Sequence, residues 1–204
     1  MPSIPSPPSF PRRPRVYLAG PDVFFRDCAS IFRALKAECE RLGMVGLAPS
    51  DAGIDEGFDG TDDSRAQRIY EGNIRLIREA DGVVANLVPF RGHEPDSGTV
   101  FEVGFAVALG KPVVGYGVAE GSYAQRVCAT VACVSDGEGV LREADSGVMV
   151  EGLGQRLNLM LTRSTVLVPS ARDALARLAE MLGQRASMRG TTGVWPGDAI
   201  AGNV

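Results

Sequence analysis

Histidine is nearly missing from this chain: His93 is the only one in 204 residues. With no second histidine and no CxxC pair among Cys28, Cys39, Cys128 and Cys133, a zinc site has no ligand set. A chain with 45% hydrophobic residues builds its own core and needs no disulfide framework, so reduced thiols are expected. A Ser-His nucleophile pair lacks its GxSxG element. The glycine-rich phosphate loops are also missing: Gly20 is followed by Pro-Asp-Val-Phe-Phe, neither GxGxxG nor GxxxxGK[ST], so no nucleotide cofactor is expected. No apolar run reaches the roughly 18–20 residues that cross a bilayer, and no apolar stretch follows Arg12, Arg13 and Arg15 as a signal peptide requires. Positive charge is short as well. Lys and Arg number 21 against 25 acids, net −4, with no basic stripe, which excludes a nucleic-acid polymer as partner. These absences describe a cytoplasmic protein off the membrane, with neither metal nor cofactor, free to bind small molecules such as nucleosides.

Residues 1–14 hold six of the thirteen prolines and read as a disordered tail. Residues 185–204 are rich in Gly, Thr and Ser and read as a second tail, with Trp195 its one large apolar residue. Residues 15–184 alternate strand and helix between them. Strands are expected at Arg15–Gly20, Val45–Ala48, Gly82–Val88 and Pro112–Tyr116. Helices are expected at Phe24–Leu42, stopped by Gly43, at Ser64–Ala80 and at Ser170–Leu182. Ser50–Asp63 reads as a long acidic loop, and the pattern dissolves around Asp136–Gly139. Short apolar strands separated by helices predict a single-domain α/β fold, a flavodoxin/Rossmann-like parallel sheet flanked by helices on both faces. Ligands of such sheets bind beyond the C-terminal strand ends. That rule gathers Tyr17, Gly20, Asp22, Asp96 and Glu102 along one rim.

The segment Thr99-Val-Phe-Glu-Val-Gly-Phe-Ala-Val-Ala-Leu109 stands out within this layout. Only Thr99 and Glu102 interrupt its apolar run, so it reads as a helix hydrophobic on every side and therefore buried. Isolating a carboxylate from water costs several kcal/mol unless it is paired. A second acid, Asp96, stands at the helix entrance. Two acids at the start of a buried helix, under a loop, mark a candidate active site.

Three stretches carry a resemblance: Val16-Tyr-Leu-Ala-Gly-Pro-Asp-Val-Phe24, Ala80-Asp-Gly-Val-Val-Ala-Asn-Leu87 and Asp96-Ser-Gly-Thr-Val-Phe-Glu-Val-Gly104. With Leu157-Asn-Leu-Met-Leu161 they resemble, in order, the nucleoside 2-deoxyribosyltransferase family over roughly residues 15–180. The resemblance implies exchange of the base of 2′-deoxynucleosides through a covalent deoxyribosyl ester. It places Glu102 as the nucleophile, Tyr17 as the hydroxyl that holds its carboxylate, and Asp96 against the sugar 5′-hydroxyl. It implies substrate contacts from Gly20, Asp22 and Phe24, with Phe24 as a surface for a base to stack on. Asn158 and Met160 match residues that a neighbouring subunit contributes, so a homodimer or larger homo-oligomer with shared sites is implied. Asn73 stands where some members carry an aspartate, and an amide cannot supply an acidic proton.

Two other readings share the pocket. One hydrolyses 2′-deoxynucleoside 5′-monophosphates; members of that kind tend to have Ser where Asp96 stands, since a carboxylate repels a phosphate by order 1–4 kcal/mol at close range. The other is a non-catalytic nucleoside or nucleotide sensor, which has no need of a nucleophile. Asp81 is read as a turn cap before a buried strand and His93 as an exposed loop residue.

Overall fold

The computed structural model describes residues 12–53 and 58–190. The tails expected at 1–14 and 185–204 fall mostly outside this range, as does Trp195. What is described of them is ordered into the fold. Arg12 pairs with Asp81 at 2.8 Å, and the last helix continues past residue 184 to Gly190.

Five parallel strands form the sheet, in the order β2 (Val45–Leu47), β1 (Arg15–Ala19), β3 (Gly82–Asn86), β4 (Val113–Tyr116) and β7 (Val166–Leu167). Helices α1 (Cys28–Arg41) and α6 (Ala171–Gly190) cover one face; α2 (Asp62–Glu79), α3 (Ser97–Ala108) and α5 (Leu159–Ser164) cover the other. The expected doubly covered α/β sheet is present. The direction of winding reverses between β1 and β3, the point at which sheets of this order open a ligand crevice.

Strand alternation sorts the core. On β1, Val16 and Leu18 point into the α1/α6 layer with Phe32, Cys39 and Leu175. Tyr17 and Ala19 point the other way, with Leu76, Val83 and Val103. Period two thus sends Tyr17 toward α3. Asp81 joins the N-terminal ends of β1 and β3 by accepting from the Arg15 amide at 2.7 Å, a structural role, though across two strands where a turn cap was expected. Helix α2 starts under its own cap, with Thr61 Oγ1 accepting from the Ser64 amide at 3.2 Å and Asp62 and Asp63 in the first turn, where acids complement the helix dipole. Gly43 adopts a left-handed φ of 74° and ends α1 as expected.

Several expectations need correction. The first helix does not begin at Phe24; residues Pro21–Phe24 form a separate 3₁₀ turn before α1, because Pro21 has no amide to donate and starts a tight turn of its own. The third strand ends at Asn86, whose side-chain oxygen accepts from the Val88 amide at 3.3 Å and diverts the chain. The surface loop expected around Asp136–Gly139 is present, but as the tip of an antiparallel hairpin that was not expected, β5 (Cys133–Ser135) with β6 (Leu141–Glu143). Asp136 closes that tip by accepting from the Glu138 and Val140 amides. The thiols are not all reduced: Cys128, at the end of α4 (Tyr123–Cys128), is bonded to Cys133 across a Cα separation of 5.4 Å. A turn folds the helix end back onto β5 and brings the pair within bridging range, while Cys28 and Cys39 stay free. Lastly, α3 is not buried on every side. Thr99, Val103 and Ala106 are buried, whereas Phe101, Val107 and Leu109 are exposed; among the described residues Phe101 is covered only in part, by the Tyr70 and Phe105 rings. Among the described residues no helix is long and apolar enough to cross a membrane.

Candidate active site

Tyr17 and Glu102 meet at the C-terminal end of the sheet. The Tyr17 hydroxyl donates to Glu102 Oε1 at 2.6 Å, a short bond of the charge-assisted kind. Asn73, on α2, brings its Nδ2 to the same oxygen at 3.4 Å. Both donors thus converge on Oε1, and Oε2 has no hydrogen-bond partner among the described residues. Burial pushes the Glu102 carboxyl up to about 7; the Tyr17 hydrogen bond opposes the shift and the Asp96 charge adds to it. The Tyr17 phenol, fully buried, is raised far above its ordinary value, by burial first and then by the neighbouring Glu102 charge. It keeps its proton and acts only as a donor. Asn73 Oδ1 is buried and has no partner, a condition native interiors rarely leave unanswered.

Above Glu102 opens a cavity of about 490 Å³. Gly20, Phe24, Asn73, Asp96 and Glu102 all line it, so five of the residues expected at the site share one space, with Tyr17 beneath them. Asp96 caps α3: its Oδ2 accepts from the Thr99 amide at 2.9 Å and the Thr99 hydroxyl at 3.0 Å, which leaves Oδ1 unpaired at the cavity wall. Phe24 is exposed and stacks on Phe90 at 5.4 Å between ring centroids, with the Arg91 guanidinium 4.8 Å from the Phe90 centroid. The same guanidinium lies 5.7 Å from the Phe24 centroid, so the two rings and Arg91 form one stacked group beside the cavity.

Asp22 does not line the cavity. It is buried and bound to Asn86 Nδ2 through both oxygens at 3.1 Å. A Cβ on Gly20 would lie 2.5 Å from Asp22 Oδ2 and 2.8 Å from Asn86 Cβ. Gly20 and Asp22 are therefore parts of one close packing that joins the ends of β1 and β3, and Asp22 serves as scaffold where a substrate contact was expected. Its burial raises its pKa, against the pull of Asn86. Asn158 and Met160 are not brought to Glu102 within the chain either. They line a second cavity, of about 600 Å³, with Gly104, Val107 and Leu161 on the opposite flank of α3. His93, expected to be exposed, is half-buried with Nε2 2.8 Å from Thr130 Oγ1. Among the described residues no group of three or more His, Cys, Asp or Glu is placed to hold a metal ion.

Sequence reasoning missed Asn86, which secures Asp22; a polar residue closing an apolar strand was its signal. It also missed the apolar walls Val23, Cys28, Phe32, Pro49 and Ile69, which an amphipathic pattern assigns to core packing alone.

Comparison with known proteins agrees with this geometry. The solved 2-desoxiribosyltransferase of Leishmania mexicana superimposes with a TM-score of 0.65 at 32% identity, covering 82% of this chain and 97% of its own. A conserved protein of Enterococcus faecalis has the same fold, with a TM-score of 0.55 at 19% identity over 83% of this chain and 99% of its own. So has the 2-deoxyribosyltransferase of Bacillus psychrosaccharolyticus, with a TM-score of 0.51 at 19% identity, 80% and 95% being covered. An uncharacterized protein of Schizosaccharomyces pombe is 36% identical over 117 residues, 56% of this chain. This chain spans about half the length of that curated relative, 54%. The family pattern described as nucleoside 2-deoxyribosyltransferase matches residues 16–160, a span that runs from β1 through both acids to Met160, and the chain belongs to that family.

Proposed function

We propose that this protein exchanges the base of 2′-deoxynucleosides through a deoxyribosyl ester on Glu102. The observation that carries this reading is the pair Tyr17–Glu102 at the floor of a nucleoside-sized cavity, one carboxylate oxygen held and the other unpaired. In the first step Glu102 Oε2 forms a bond to the sugar carbon bearing the base. The carbon–nitrogen bond breaks, and the base leaves with its electron pair and takes up a proton. In the second step a nitrogen of an incoming base attacks that carbon, loses its own proton, and returns Glu102 as a carboxylate. The cycle neither gains nor loses protons. Asn73 cannot supply the proton, and its unpaired Oδ1 is suited to accept a hydrogen bond from the substrate. Phe24 offers a stacking surface to the base. Water has to be kept from the ester until the second base arrives.

Asp96 favours free nucleosides over 5′-monophosphates, because its unpaired oxygen suits a 5′-hydroxyl and repels a phosphate. The exposed apolar flank of α3, beside exposed Met160, supports assembly as a homodimer or larger, with Asn158 and Met160 completing a neighbour's pocket. Incubating a deoxynucleoside with a different free base and separating the products tests the reading. Exchanged nucleoside is expected. Free base and deoxyribose alone would make the protein a hydrolase, and faster cleavage of the 5′-monophosphate than of the nucleoside would overturn the substrate class.

A further inference from the structure

Asn158 is held from two sides inside its own chain. Its Oδ1 accepts from the Met160 amide at 3.0 Å, which caps α5. Its Nδ2 donates to Glu151 Oε2 at 2.9 Å, a bond that capping does not require. The other oxygen of Glu151, Oε1, accepts from the Leu159 amide at 2.7 Å. Turning the Asn158 amide over would set its oxygen against the Glu151 carboxylate and its NH2 against the Met160 N–H. Glu151 and Met160 together therefore fix which end of the amide faces outward. Asn158 keeps one N–H and one lone pair, and it borders the cavity beside exposed Met160.

We propose that Glu151 is the positioning residue for Asn158, orienting its free N–H and lone pair toward substrate in the neighbouring subunit's pocket. This rests on the reading that Asn158 completes a neighbour's site. A carboxylate suits the task because it accepts at two oxygens at once. Gln offers one acceptor, and Asp is shorter by a methylene. Glu151 touches no substrate in this scheme; its loss frees the Asn158 amide and one amide of the α5 start, so its effect on exchange reaches the substrate through the Asn158 segment and therefore in trans.

The test compares kcat/KM for deoxynucleoside exchange in Asn158→Ala, Glu151→Ala, Glu151→Gln and the double alanine variant. If Asn158→Ala loses about tenfold or more, Glu151→Ala should fall within about threefold of it, and the double variant should be no worse than Asn158→Ala, the non-additivity of residues acting as one unit. Glu151→Gln, which keeps the shape and one acceptor, should lie between wild type and Glu151→Ala, and it carries the comparison should the alanine variant fail to fold. Co-expressing Glu151→Ala with Glu102→Ala should restore about a quarter of wild-type pockets in a randomly paired dimer, each with Glu102 from one chain and a correctly held Asn158 from the other. A purely structural defect in the Glu151 subunit would not be rescued in this way. Additive losses, or no rescue here while Asn158→Ala co-expressed with Glu102→Ala is rescued, overturn the positioning role and leave the shared site standing; no rescue in either pair overturns the shared site. A fully active Asn158→Ala enzyme overturns the shared site, and the proposal with it.

Discussion

On one flank of α3, Glu102 meets Tyr17 and Asn73 of its own chain, and each bond to its carboxylate is closed without outside help. On the other flank, Gly104 and Val107 border a cavity walled by Asn158 and by a Met160 left largely in solvent. The first flank sets the state of one acid through burial and hydrogen bonding. The second presents apolar surface and a fixed amide, and among the described residues Met160 beside them stays largely exposed. In the proposed scheme, a single chain supplies the reacting group and a second copy finishes the pocket.

Removing the acid is the most severe way to break the comparison. Glu102→Ala should lose at least about three orders of magnitude in exchange rate, about 4 kcal/mol of barrier, while keeping its circular dichroism. Near-normal turnover by the folded variant would end the covalent scheme. Stability should respond in the opposite sense. The native pKa of Glu102, about 7, lies above its unfolded value, so the stability drawn from its protonated form is present in full below about pH 4 and fades as pH rises through 7. Glu102→Gln cannot ionise and escapes that loss. In denaturant titrations at pH 9 it should exceed wild type by on the order of 3 kcal/mol, and the difference should vanish near pH 4. A gap independent of pH would mean that Glu102 is not held protonated by its surroundings.

Tyr17→Phe tests how tightly the first flank is set. It should slow exchange by about tenfold, or about 1.4 kcal/mol. The rate of wild type should fall as pH drops through about 7, where Glu102 takes up its proton. Losing a hydrogen bond that favours the ionised form should move this acid limb to higher pH, and an unmoved limb would deny the tyrosine its role. The smallest effect on the chain itself is expected on the second flank. Val107→Glu should change the stability of a single chain by no more than about 0.5 kcal/mol, as surface changes do, yet shift sedimentation from dimer to monomer and reduce exchange. An active wild-type monomer would show that the exposed flank has no part in the site.

The central strands could be read in the sequence as short apolar runs bounded by Gly or Pro, and the longer helices because their apolar periods run over many residues. β1, β3, β4 and the helices on both faces are of this kind, and so is the rim that gathers the acids. The hairpin of β5 and β6, the two-residue β7 and the six-residue α5 were not legible, since two to six residues carry no period to detect. The all-round apolar pattern of α3 was legible and its meaning was not. Such a pattern shows that a helix has partners on every side without saying that they belong to the same chain. The strand-end rule set Tyr17 and Glu102 on one rim, but their hydrogen bond came only from family resemblance, for they stand 85 positions apart and strand alternation alone does not say which layer a given residue faces. The bond from Asn86 to Asp22 was not legible, because the place of Asp22 in the motif fits a ligand contact as well as it fits a packing role.

One more consequence follows from the unequal oxygens of Glu102. With Oε1 held by Tyr17 and Asn73, the proposed reacting oxygen would reach the sugar from a single side, opposite the departing base. The second base must then enter from the side the first one left. Two inversions at one carbon restore its handedness, so a β-nucleoside should give only β-nucleosides, free of the α-anomers that unguided chemical coupling of a base to deoxyribose produces as a mixture.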